Sequence, residues 1–334
     1  VIALLLGLAT VHCVQSIFVV NVSYIDIQAY DNGTEKMPFQ GRIAMMPVGR
    51  WAGSSHAMQR ASAWMKIRIF QDRQVIAEPY TPEKVAFLSV ALCAMLLTTG
   101  FLARIGWRIL PQTWWLPPAF FLYMLYTTYA ARSDAEFWYP YDLPHFALFG
   151  VAAVCIFRGL WPAAFCLFLV DLPMRETSIY LVALILAMGY ARRQWKAIPW
   201  SAVMLVLWVI VHTSISHRFA GNPSDTRFHW DNWYIALHNP YKWAQFASPF
   251  GFLLLPFCWG WKYLTREERF FVYGAIPGLA VTAAFGVPIE TRIYGEWLAP
   301  MAVLLSLQAT RAIAQRSRRA SANASPVLTP IPEG

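Results

Sequence analysis

Asp171, Arg175 and Glu176 crowd into Leu169-Val170-Asp171-Leu172-Pro173-Met174-Arg175-Glu176-Thr177, a stretch that is otherwise mostly apolar. Ionisable side chains at membrane depth are costly and usually face a bundle interior or a wet cavity, so this grouping marks either a site or a buried packing device. The arginine suits bidentate recognition of a phosphate. The plainer role is an internal arginine–carboxylate pair that fixes helix packing. Glu290-Thr291-Arg292, followed by Glu296, poses the same choice later in the chain. Asp26 and Asp31 fall just past the first apolar segment. A general base there needs a carboxylate held by the scaffold within hydrogen-bond reach of a substrate hydroxyl; the alternative is two ordinary solvated loop carboxylates. His229, Trp230 and Asp231, ahead of Asn232-Trp233-Tyr234, mix aromatic and polar groups as a sugar-stacking surface would, and equally as a loop anchored at a membrane interface by tryptophan would.

The elements that must hold these residues are apolar. Of 334 residues 57% are hydrophobic and only 13% charged, against about 25% charged in an ordinary soluble domain. That composition excludes a soluble enzyme, a disordered chain and a nucleic-acid-binding module. Segments 1–20, 85–103, 113–131, 145–160, 176–191, 200–217, 249–264, 270–286 and 296–311 are each nearly free of charge and close to the ~20 residues that cross a hydrocarbon core. A shorter stretch, 161–172, is bounded by Pro162 and Pro173 and is expected to be a broken or re-entrant crossing.

Charge asymmetry orients the segments. With the N-terminus cytoplasmic, Arg104, Arg108, Arg158, Arg192, Arg193, Lys196, Lys262, Arg266, Arg269, Arg311, Arg316, Arg318 and Arg319 all fall on the cytoplasmic side, while most acidic residues of the short loops fall outside. The positive-inside rule then gives an all-α, polytopic transmembrane bundle of about ten crossings with both termini cytoplasmic. Residues 1–315 form a single transmembrane domain with outer loops 21–84 and 218–249, and 316–334 is expected as a disordered cytoplasmic tail. In loop 21–84, Met45, Met46, Trp51, Met58, Trp64 and Ile67 interleave with Arg50, Arg60, Lys66 and Arg68, a pattern that suits helices lying in the membrane interface. The start at Val1, without Met or a basic flank, is read as truncation or processing, with 1–20 kept as a helix. The five cysteines lie in apolar segments without a C-x-x-C pair, and His212, His217, His229 and His238 lack close ligand spacing. No metal site or disulfide framework is expected.

The order of these features resembles the GT-C superfamily of polytopic membrane glycosyltransferases, in its poorly characterised bacterial branches. The resemblance rests on Asp26-x-x-x-Tyr30 after the first helix, Pro38-Phe39-Gln40-Gly41-Arg42 in a long outer loop, Arg175-Glu176-Thr177 at a broken mid-chain helix, and Glu290-Thr291-Arg292 before a final span with Pro300. It implies transfer of a sugar from a polyprenyl-phosphate donor to an acceptor hydroxyl outside the cytoplasm, in a bacterial inner membrane. Asp26 is then the first candidate base and Asp31 the second. Arg42, Arg175 and Arg292 would bind the donor phosphate or lock the carboxylates, Glu176 and Glu290, around it. Apart from the resemblance, the aromatic and polar mix of His229, Trp230 and Asp231 offers a further substrate contact. The chain departs from the family pattern in lacking an adjacent acidic pair after the first helix, in its length and in having no soluble C-terminal domain, which leaves catalysis itself open. Membrane lipids are the expected surroundings, no nucleic acid is implied, no protein partner is identified, and no cofactor is called for beyond a divalent metal left open. The competing class is a non-enzymatic membrane protein: a transporter or flippase of a lipid-linked or small anionic solute, or a subunit of a larger complex.

Overall fold

The computed structural model describes residues 1–68, 80–130, 137–224, 230–240, 242–243, 248–286 and 291–324. Helix α1 (Ile2–Val20) leads into a two-residue strand, β1 (Val22–Ser23), and then into α2 (Ile27–Asn32), α3 (Met46–Ser54) and α4 (His56–Arg68). The long α5 (Pro82–Ile109) opens on Thr81, whose side chain accepts from the Lys84 amide, with Pro82 in the first turn where its missing N–H costs nothing. After α6 (Leu116–Leu125) and a π-helical turn come β2 (Phe137–Trp138), α7 (Asp142–Phe157), α8 (Trp161–Asp171), α9 (Tyr180–Ala191) and α10 (Ala197–Arg218). The chain continues through α11 (Trp230–His238), α12 (Leu254–Trp259), α13 (Arg266–Phe285) and α14 (Leu298–Ala324).

Among the described residues four helical stretches are long and apolar enough to cross a membrane: Ile2–Val19, Pro82–Ile109, Ala197–Arg218 and Arg292–Arg319. Their outward faces are apolar too. Leu4, Leu5 and Leu8 of α1 and Ile198, Val206 and Ile210 of α10 are each more than half exposed, which water would penalise and hydrocarbon would not. Helix α7 sits at the centre, with Phe146, Phe149, Ala152, Ala153 and Ile156 all buried against its neighbours.

Two expected segments differ. Residues 249–264 do not form one helix but a 3-10 turn Pro249–Phe252, the short α12 and a second 3-10 turn Gly260–Tyr263. Pro249 and Pro256 cannot donate to a helical ladder, and Phe250, Gly251 and Phe252 take φ of 59, 64 and 64°, in the left-handed region. At the other end α14 runs on to Ala324, so 316–324, expected as tail, is helical; its three Arg and three Ala favour that state.

The loops gather at one end of the bundle. Strands β1 and β2 pair in parallel, Val22 with Phe137 and Ser23 with Trp138, fastening the first loop to the segment that opens α7. The Ala44 amide donates to the Pro173 carbonyl at 3.1 Å, the Met37 amide to the Pro223 carbonyl at 2.7 Å, and Asn222 Nδ2 to the Gly33 and Glu35 carbonyls. Residues 22–44 of the first loop, the α8–α9 connection and the start of loop 218–249 therefore share one layer.

Candidate functional site

In that layer Arg42, Arg175 and Arg292 converge on carboxylates although they come from widely separated parts of the chain. Arg42 grips Glu176 with both prongs of its guanidinium, Nε to Oε2 at 3.1 Å and Nη2 to Oε1 at 2.6 Å. Its Nη1 donates to Tyr141 Oη at 3.2 Å, and its backbone carbonyl accepts from the Tyr30 hydroxyl. Burial works against the Arg42 charge, but Glu176 beside it holds the group protonated, above its usual range. Asp142, at the first turn of α7, is shared: Arg175 Nη1 lies 3.7 Å from one oxygen, Arg292 Nη1 3.5 Å from the other, and Tyr129 donates to the latter at 3.2 Å. Arg292 also donates to Tyr139 Oη at 2.9 Å and lies over that ring.

One layer deeper, His145 of α7 bridges Asp171 at the end of α8 and Glu296 ahead of α14. Nδ1 is 2.8 Å from Asp171 Oδ1 and Nε2 is 3.0 Å from Glu296 Oε2. Thr177 donates to the same Glu296 oxygen at 3.0 Å, and Arg175 Nη1 reaches it at 3.9 Å. Arg175 is thus held by two carboxylates without a close contact to either. Its Nε and Nη1 are buried and make no hydrogen bond, a costly state for a guanidinium and one that an incoming anion would relieve.

An apolar cavity of about 580 Å³ lies beside this cluster, between α5, α7 and α8, lined by Val90, Leu97, Pro144, Leu148, Leu167 and Met174 among others. Met174 and Pro144 are the chain neighbours of Arg175 and His145, and Leu97 is 75% exposed, so the cavity opens on the flank of the bundle.

The two candidate bases lie elsewhere in the first loop. Asp26 is the N-cap of α2: its Oδ1 accepts from the amides of Gln28 at 2.8 Å and Ala29 at 3.0 Å, and its own amide donates to Glu35. Asp31 is half-buried against α3. A Cβ at Gly49 would come 2.2 Å from its Oδ1, so glycine is what admits the carboxylate there. Burial, with Glu83 nearby and only partly offset by Arg50, pushes the Asp31 carboxyl up to about 6. Helix α2 connects it to the arginine cluster, since Tyr30 precedes Asp31 and its ring packs on Tyr141.

Arg42, Arg175, Glu176 and Arg292 are thus brought together, while Asp26 and Asp31 belong to the adjoining loop layer. Trp230 opens α11 with its side chain 71% exposed, and Asp231 follows it in the same helix. Glu290 and His229 lie outside the described residues. Sequence reasoning missed His145 as a site residue, because its partners stand 26 and 151 residues away; the available signal was an ionisable group at the head of an apolar segment. No known protein family, curated protein or solved structure matches the chain.

Proposed function

We propose that the chain is a multi-pass membrane protein that binds a polyprenyl-phosphate-linked sugar and transfers the sugar to an acceptor hydroxyl on the extracytoplasmic side. In this reading it has about ten crossings, segment 249–264 crossing as a broken helix, and both termini face the cytoplasm of a bacterium. The observation that carries the proposal is the under-satisfied Arg175, set between Arg42 and Arg292 and next to an apolar cavity. That combination suits a ligand with one phosphate and a hydrocarbon tail.

In the reaction an acceptor oxygen attacks the anomeric carbon, the bond to the phosphate breaks, and the arginines stabilise the charge that grows on the departing lipid phosphate. The acceptor proton passes to a carboxylate. Asp31 suits that role better than Asp26, because a base works best with a pKa near the working pH and Asp26 is engaged in capping α2. The test is sugar release from a panel of polyprenyl-phosphate sugars by the reconstituted protein. Asp31→Asn is expected to lose ~10²–10⁴-fold in rate while still binding donor, and Asp26→Asn to stay near wild type. Equal rates for Asp31→Asn and wild type would remove the base.

The buried Asp171–His145–Glu296 chain favours one second reading, a proton-linked transporter or flippase of the same lipid, since ionisable groups inside a bundle commonly mark such pathways. Donor binding with no turnover by the wild type would select it.

A further inference from the structure

Asp171, His145 and Glu296 come from three different elements and are each 0% exposed. Both ring nitrogens of His145 face a carboxylate oxygen at hydrogen-bonding distance, 2.8 and 3.0 Å. A neutral imidazole has one N–H and one lone pair, and the Thr177 hydroxyl, 3.0 Å from both Nε2 and Glu296 Oε2, has a single proton to give to one of them. With two ionised carboxylates one acceptor is left facing another, an arrangement that one further proton, on the ring or on a carboxyl group, resolves. The charges of the whole cluster agree. Arg42, Arg175, Arg292 and a protonated His145 balance Asp142, Asp171, Glu176 and Glu296, so an anion arriving at Arg175 leaves this cluster, buried except at Glu176, one positive charge short. Buried uncompensated charge is expensive. Two acceptors stand ready to take a proton: Asp171 Oδ2 and Glu296 Oε1 are buried and have no hydrogen-bond partner.

We infer that the Asp171–His145–Glu296 triad is a proton-binding site coupled to the anion site at Arg175, so that a phosphodiester and a proton bind together. This rests on reading the arginine cluster as the place where a lipid-linked phosphate binds. The connection is Glu296, whose Oε2 is shared by His145, Thr177 and Arg175. A proton on the triad weakens the hold of Glu296 on Arg175 and frees the guanidinium for the ligand; by reciprocity the ligand raises the triad's proton affinity by the same factor. The other ionisable groups around the triad and the anion site are Asp142 one turn earlier on α7, carrying Arg175, Arg292 and Tyr129, Tyr180 at the head of α9, and His212 of α10 beside Glu176 and Leu172. Further along α14, Arg311 is engaged with Glu268.

The experiment uses the full chain in lipid nanodiscs with farnesyl-phosphoryl glucose, a phosphodiester whose single charge does not titrate between pH 5 and 8. Affinity is measured across that range in an Asp31→Asn background, which removes a carboxyl of the first loop that titrates there. Proton uptake is read by calorimetry in two buffers of different ionisation enthalpy. Coupling predicts uptake of a proton and a Kd that tightens by up to about tenfold per unit fall in pH. Glu296→Gln, which mimics the protonated carboxyl, should bind at high pH as tightly as the unsubstituted triad does at low pH and lose the pH dependence. Binding that is independent of pH with no proton uptake would overturn the coupling and leave the anion site standing, as would an undiminished pH dependence in Glu296→Gln. Absence of binding at every pH would overturn both. Should Glu296→Gln fail to fold, the proton uptake of the unsubstituted triad decides alone.

Discussion

Two aspartates five residues apart have opposite roles in holding the first loop, and substitution separates them. Asp26 caps α2, so Asp26→Asn, which keeps a capping oxygen, should change stability little, whereas Asp26→Ala should cost about 1 kcal/mol. Asp31 is ionised at neutral pH in a place that disfavours the charge. Its carboxyl is raised from 3.8 to about 6 in the folded protein, so between those values the native state binds more protons than the unfolded state, and stability falls as pH rises through that window. Asp31→Asn removes the penalty. Thermal unfolding should therefore find Asp31→Asn more stable than wild type at pH 7 to 8 and the difference gone near pH 4; a variant less stable at pH 7 would contradict the assignment. If Asp31 is also the base, the variant gains stability as it loses turnover, a trade expected of a group kept ionised for chemistry. At this scale the sequence was partly legible. Arg175, Glu176 and Arg292 stand out because apolar flanks make any charge conspicuous, whereas the Asp26-x-x-x-Tyr30 spacing ranks Asp26 ahead of Asp31. The reverse order proposed above rests on capping and burial, which spacing does not record and which depend on Gly49 of α3 leaving room for a carboxylate.

Helix placement follows from close approaches that the sequence records only as small residues. Gly150 of α7 faces α14 so tightly that a Cβ there would stand 2.8 Å from the Ala299 Cβ, whereas one at Gly100 of α5 would meet nothing within 4 Å. Gly150→Ala should accordingly lower stability by about 1–3 kcal/mol through overpacking, and Gly100→Ala should raise it by roughly 0.5–1 kcal/mol through helix propensity. Thermal unfolding of both variants in one detergent checks the pair; equal shifts would mean that α7 and α14 are not packed this closely. Apolar runs announced the long helices well, because length and composition alone mark α1, α5 and α10. The break at 249–264 was harder to read, since its hydrophobicity matches a span and only the placement of Pro249, Gly251 and Pro256 argues against one. The parallel pairing of Val22–Ser23 with Phe137–Trp138 has no periodic signal at all. Yet it carries Tyr139, Tyr141 and Asp142 under the first loop, and so decides that the three arginines meet.

Across the whole molecule, the proposed topology puts the clustered basic residues of the short turns on the cytoplasmic side and the loop layer with the arginine cluster on the other. Single cysteines replacing Ser224, beside the first loop, and Ser317, on the exposed final turns of α14, should therefore label from opposite sides of the membrane. Labelling from one side would remove the proposed topology and the extracytoplasmic placement of the site.

The central claim is that Arg175 and its neighbours recognise a phosphate whose hydrocarbon tail lies in the adjoining cavity. It is tested most directly by comparing the affinity of the reconstituted protein for a polyprenyl phosphate, for the same polyprenol without phosphate, and for inorganic phosphate, in wild type and in Arg175→Ala. Phosphate and tail together should bind at least about a hundredfold more tightly than either alone, the two contributions adding as free energies. Arg175→Ala should bring the polyprenyl phosphate down to the level of the polyprenol. Equal binding of polyprenol and polyprenyl phosphate by the wild type, or selectivity unchanged in a folded Arg175→Ala, would contradict the account.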